Sequence, residues 1–109
     1  MKILFLGDVV GLSGCRKITK DLLGQIKKNN IDFVIINAEN ADDTGVGLTK
    51  EICENFFENG VDVITTGNHV WDQKDIMNFI DKENRLLRPK NLFEPAPGRG
   101  FEICLLYTS

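Results

Sequence analysis

Histidine is almost missing from this chain of 109 residues, where His69 is the only one. Any imidazole chemistry therefore rests on a single side chain. The cysteines, Cys15, Cys53 and Cys104, are odd in number and widely spaced, with no C-x-x-C pair. That excludes a disulfide framework and a zinc knuckle, and Cys53, on an apolar helix face, reads as core. No block of Lys and Arg exists and the formal net charge is -3. Electrostatic capture of a long nucleic acid is disfavoured, although a single nucleotide is not. No apolar run approaches the roughly 20 residues that span a bilayer. A charged segment leading into a hydrophobic stretch and cleavage site is also missing from the start, so the cytoplasm is the default expectation. The loop Asp8-Val9-Val10-Gly11-Leu12-Ser13-Gly14 lacks both the Gly-Lys-Ser/Thr ending of a Walker loop and the G-x-G-x-x-G spacing of a dinucleotide fingerprint. Internal repeats and low-complexity tracts are likewise absent.

What is present is a balanced composition, 42% hydrophobic and 27% charged, as in one globular unit or part of one. The stretch Val61-Asp62-Val63-Ile64-Thr65-Thr66-Gly67-Asn68-His69 is apolar and β-branched without helical period. It predicts a buried strand, with Gly67 freeing the backbone so that Asn68 and His69 are presented at its end. Two earlier stretches finish in the same way. Ile3-Leu4-Phe5-Leu6 runs into Gly7-Asp8, and Phe33-Val34-Ile35-Ile36 runs into Asn37-Ala38-Glu39-Asn40. Ligands of open parallel sheets bind outside the carboxyl ends of the strands, so Asp8, Glu39, Asn40, Asn68 and His69 are expected to share one cleft.

Between the strands, Ser13 is a candidate N-cap for a helix reaching about Lys28, with Ile18, Leu22 and Ile26 as its apolar stripe and Asn29-Asn30 as its end. The polar, glycine-punctuated loop Ala41 to Gly47 looks functional. Thr49 is expected to cap a second helix carrying Ile52, Cys53, Phe56 and Phe57, stopped by Asn59-Gly60. Trp71 and Ile76 flank Asp72 as in a hydrophobic staple, with Asp75 in the capping-box position, and a helix from about Gln73 to Asp81 is expected. Trp71 is read as packing rather than as a substrate platform. Leu86-Leu87-Arg88-Pro89 is a candidate short edge strand, and 91–100 is irregular. The alternation of strand and helix predicts an α/β fold with a parallel sheet and right-handed crossovers.

Phe101 to Tyr107 reads as a fourth buried strand, yet the sequence stops there. Cys104 to Ser109 can be encoded by codons resembling the end of a transposase adapter used in sequencing libraries. The expectation is that 104–109 is a foreign tail, that 1–103 is the N-terminal part of a longer domain, and that the natural protein continues.

Two carboxylates, an amide oxygen and an imidazole at strand ends suit hard or borderline divalent metals. Glu39 has two oxygens and can bridge two ions. A metal pair roughly 3.5–4 Å apart can hold a phosphate and generate hydroxide for in-line attack, with His69, whose reference pKa is about 6.5, protonating the leaving oxygen. At these residues the chain resembles the first part of the calcineurin-like metallophosphoesterases. Their Gly-Asn-His motif stands here as Gly67-Asn68-His69, and their first-strand aspartate as Asp8. Two departures narrow the branch. Val10 occupies the position of the first-motif histidine, and Asn37-Ala38-Glu39-Asn40 replaces the usual Gly-Asp motif. That context resembles the bacterial YmdB-like branch, associated with 2′,3′-cyclic nucleotide 2′-phosphodiesterase activity, and the likeness runs from Met1 to about Gly100. The resemblance implies Asp8 as a ligand of the first metal, Glu39 as the bridge, Asn68 as a ligand of the second and His69 as the acid. Asn40 would be a further metal or phosphate contact. It also implies two divalent ions, iron, manganese or similar, a four-layer α/β/β/α sandwich and a homo-oligomer in the whole protein. Three further metal-binding histidines would come from a later segment, so this chain alone would be inactive.

Taken singly, each of these residues has a plainer reading as a turn former, a helix cap or a solvated side chain. Three strand ends carrying the matched set in order favour the functional one. Two alternatives remain open at this stage. One is a phosphatase or diesterase for other phosphate esters. The other is a non-catalytic nucleotide-binding or receiver-like module, although a receiver needs a pair of acidic residues after the first strand, where this chain has only Asp8.

Overall fold

The computed structural model describes residues 1–91 and 96–105 of the chain. Strands β1 (Ile3–Leu6), β2 (Phe33–Asn37), β3 (Val63–Thr65) and β4 (Leu86–Leu87) alternate with helices α1 (Gly11–Asn29), α2 (Lys50–Glu58) and α3 (Ile76–Phe79). The four strands lie side by side in chain order and each neighbouring pair is parallel. The α/β expectation holds, with β4 on one edge of the sheet and β1 on the other.

Register decides where the polar endings go. Leu6 pairs with Ile36, and Asn37 with Thr65. The segments after β1, β2 and β3 therefore leave the sheet from a common edge. Backbone pairing continues past the strand ends. Val9 N–H donates to Asn37 O at 3.1 Å, Ala38 N–H to Thr65 O at 3.0 Å and Gly11 N–H to Asn40 O at 2.9 Å.

That last bond corrects the expected start of α1. The helix begins at Gly11, with Val10 as an extended N-cap and no side-chain cap bond, so Ser13 lies inside it. A bridge between Val10 and Asn40 brings the entry of α1 to the end of β2, and the Asn40 carbonyl takes up a donor that a serine cap would otherwise not reach. At the other end Lys27 and Lys28 sit in the last turn and Asn30 closes the helix at φ 55°, as the macrodipole and left-handed caps favour. In α2 the expected cap is present, Ile52 N–H donating to Thr49 Oγ1 at 3.3 Å. Gly60 then turns away at φ 104°.

Beyond β3 the expected nine-residue helix shrinks to Ile76–Phe79, with Asp75 rather than Asp72 at its N-cap. The carboxylate of Asp72 turns back to His69 Nδ1, and the helix starts only after Asp75. Trp71 does pack against the core, as expected. Residues 101–105 form no strand, and Phe101, Ile103 and Leu105 are exposed. The expected fourth buried strand is thus absent over that stretch, and its remainder, Leu106 and Tyr107, lies outside the described residues.

The core joins one face of the sheet, through Val34, Ile36 and Ile64, to Leu22 of α1, Cys53 and Phe56 of α2 and Ile76 of α3. Each fully buried Ile or Phe of this kind contributes about 1.5–3 kcal/mol. Sequence reading missed Arg88, which is buried after β4. Its Nε donates to Pro97 O at 3.2 Å and its Nη1 to Pro89 O at 3.0 Å, tying 96–99 to the sheet. Among the described residues, no helix is long and apolar enough to cross a membrane.

Candidate functional site

All five candidate residues occupy the segments that leave the common edge, Asp8 after β1, Glu39 and Asn40 after β2, Asn68 and His69 after β3. The structure joins four of them in two pairs. Asn40 Nδ2 donates to Asp8 Oδ1 at 2.9 Å, and His69 N–H donates to Glu39 Oε2 at 3.2 Å. The first bond orients the Asp8 carboxylate. The second brings the turn after β3 onto the β2 ending. Asn68 is exposed.

Gly67 matters for a reason other than the one expected. It is not among the residues of positive φ, yet a β-carbon there would collide with the Glu39 carboxylate. Glycine keeps room for Glu39 to lie against the backbone of the β3 ending.

Whether a cation fits depends on the donors. Because Nδ2 of Asn40 faces Asp8, its Oδ1 points elsewhere, and that oxygen is buried with no hydrogen-bond partner among the described residues, as is Asn37 Oδ1. An unsatisfied buried amide oxygen costs about 1–3 kcal/mol. A hard cation relieves it, because such ions take amide and carboxylate oxygens together. Among the described residues no three His, Cys, Asp or Glu side chains converge closely enough to hold an ion by themselves. The donors present fit part of a metal site in which amides do much of the work.

Sequence reading missed two residues behind His69. Asp72 Oδ2 accepts from Nδ1 of His69 at 2.7 Å. Gln73 Nε2 donates to Asp42 Oδ2 at 3.3 Å and to Val46 O at 3.2 Å, fastening the Asp42–Gly47 loop beside the histidine turn. The signal that points to Asp72 is the His-x-x-Asp spacing, which a turn can close into a hydrogen bond. The cysteines stay outside this chemistry. Burial pushes the Cys15 thiol up, helped by the negative charge of Asp42, and burial does the same to Cys53.

The profile described as YmdB-like protein matches residues 4–108. The chain belongs to the YmdB-like family. A 2′,3′-cyclic-nucleotide 2′-phosphodiesterase of Bacillus subtilis (strain 168) is 48% identical over 101 residues, which are 92% of this chain and 38% of that protein. Among solved structures, a phosphatase of Mycoplasma pneumoniae superposes with a TM-score of 0.85 at 38% identity, covering 95% of this chain and 39% of its own. A protein of Thermus thermophilus gives 0.83 at 36% identity, covering 94% and 39%. The YmdB-like chain therefore spans less than two fifths of the length of these relatives, and its parallel sheet is the fold they share over that part.

Proposed function

We propose that this chain is the N-terminal part of a metal-dependent phosphodiesterase that hydrolyses 2′,3′-cyclic nucleotides. The observation that carries the reading is the joining of Asp8 to Asn40 and of Glu39 to the His69 backbone at one sheet edge, in a family that includes a relative of that activity.

In this reading Asp8, Glu39, Asn40 and Asn68 would hold two divalent ions, iron or manganese, together with ligands from a later segment. When bound, such ions supply positive charge against the phosphate and acidify water for in-line attack. The chain's own residues do the rest. Asp8 is oriented by the Asn40 amide, Gly67 leaves space for the Glu39 carboxylate, and His69 delivers a proton from Nε2 to the departing oxygen. The substrate is a single nucleotide, neither a membrane nor a long nucleic acid is engaged, and the whole protein assembles as a homo-oligomer.

The test uses the locus extended to its natural stop codon, with metal content by mass spectrometry beside hydrolysis of 2′,3′-cyclic AMP and of a simple phosphomonoester. About two ions per chain and metal-dependent cleavage favouring the cyclic nucleotide are expected. Asp8→Ala and Glu39→Gln should abolish metal loading, since each removes charge from a dication site. His69→Ala should keep the metal and slow turnover by about 10²–10⁴-fold. A preference for the phosphomonoester would shift the reading to a phosphatase. No metal and no cleavage would overturn it.

A further inference from the structure

We propose that Asp72 is a positioning residue that keeps a proton on Nδ1 of His69, so that Nε2 is the nitrogen that gains a proton when the ring becomes imidazolium and passes it to the departing oxygen, leaving the neutral Nδ1–H tautomer. The idea rests on the reading of His69 as the acid, and it adds a residue to that site.

The hydrogen bond of 2.7 Å joins His69 Nδ1 to Asp72 Oδ2. An ionised carboxylate only accepts, so the proton of that bond belongs to Nδ1. The two residues are held in one compact turn. Val70 N–H donates to Gly67 O and Asp72 N–H to His69 O, both at 3.1 Å, and Val70, between them, is 1% exposed. The turn is backed by the loop from Asp42. A β-carbon on Gly47, which stands at φ +84°, would lie 3.1 Å from Asp72 Cβ and 2.8 Å from Gln73 Cγ. Glycine at 47 therefore lets that loop lie close beside Asp72 and Gln73, and Gln73 ties it down through Asp42 and Val46.

Stability is a poor explanation for the pair. The side chains are 37% and 38% exposed, and ion pairs so open to solvent contribute little. Control of the tautomer asks less of the bond than stability does, because it has only to outweigh the small preference of a free imidazole for the Nε2-protonated form.

The test compares wild-type protein, expressed through its natural stop codon, with Asp72→Ala and Asp72→Glu. Long-range ¹H–¹⁵N correlation spectra, recorded after paramagnetic ions are removed and with the His69 signals assigned by their loss in His69→Gln, report the ring tautomer. Wild type should show the Nδ1-protonated form, and Asp72→Ala should move to the Nε2-protonated form that free imidazole side chains prefer. In the metal-loaded enzymes kcat should fall about 10–100-fold in Asp72→Ala, the usual cost of losing a histidine's outer partner. KM and metal content should be unchanged, and Asp72→Glu should recover part of the rate. An unchanged tautomer in Asp72→Ala, or a rise in KM with loss of metal at unaltered kcat, would overturn the assignment. If wild type neither binds metal nor cleaves, the diesterase reading fails, and the tautomer comparison by itself still decides the role of Asp72.

Discussion

The two faces of the sheet are built from equally apolar residues and end in opposite conditions. On the face under the helices, Val34, Ile36 and Ile64 are 1%, 0% and 0% exposed. On the other face Ile3 and Phe5 of the edge strand β1 are each 58% exposed, Phe33, Ile35 and Leu87 are half-buried, and Val63 is buried near the middle of the sheet. A groove of ≈ 370 Å³ runs over that second face, lined by Ile3, Phe33, Ile35, Val63 and Leu87 and rimmed by Glu102 and Cys104. Strand hydrophobicity alone does not decide burial. What decides it is which face the intervening segments return to, and both long helices return to the same one. All-parallel sheets occur almost only with both faces covered. The bare side is therefore the stronger statement about what the whole protein needs, while the covered side says what this chain achieves alone.

The largest effect should come from the covered side. Phe56→Ala, which empties a fully buried ring position between α2 and the sheet, is expected to cost about 3–5 kcal/mol in denaturant unfolding. A loss near zero would mean that α2 does not hold the covered face. Removing the α2 cap acts on the same face at one remove. Thr49→Ala leaves Ile52 N–H without its acceptor and should cost about 1 kcal/mol, seen as a lower midpoint with unchanged slope. The smallest change should come from the bare side, where Phe5→Ser in this chain is expected within about 0.5 kcal/mol of wild type. The same substitution in the protein extended to its natural stop codon sharpens the contrast. It should cost several times more there, because a covering layer would then bury Phe5. Equal, small effects in both proteins would show that the face stays bare.

Much of this was legible in the residues. β1, β2 and the capped α2 follow from β-branched runs, Thr49 and Asn59-Gly60, all local signals. The elements read wrongly are those where a distant group intervenes. Ser13 looked like a cap because the bond from Gly11 N–H to the Asn40 carbonyl cannot be seen from the sequence around it. Asp72 looked like a cap because its partner, His69 Nδ1, lies on the upstream side. Phe101 to Leu105 looked like a strand because composition does not say whether a neighbouring strand is at hand. The site residues were found from the shared pattern of strand endings, while their pairing came only with register. Arg88 went unnoticed because its guanidinium partners include the carbonyls of Pro89 and Pro97, in a stretch that has no pattern of its own.

The backbone bonds that carry pairing past the strand ends, Val9 to Asn37, Ala38 to Thr65 and Gly11 to Asn40, set how the gene can change length. The exposed turn around Lys82 to Asn84, which leads into β4 from the opposite edge of the sheet, can gain or lose residues and leave this edge as it is. One residue inserted in β1 or β2 cannot be absorbed there, since it would exchange the covered and bare faces and carry Asp8 or Glu39 out of step with its neighbours. Among descendants of this sequence, insertions and deletions should therefore gather in turns of that kind and avoid the helices, whose apolar stripes they would rotate off the core, as well as the short spans from Ile3 to Asp8, Phe33 to Asn40 and Val63 to His69.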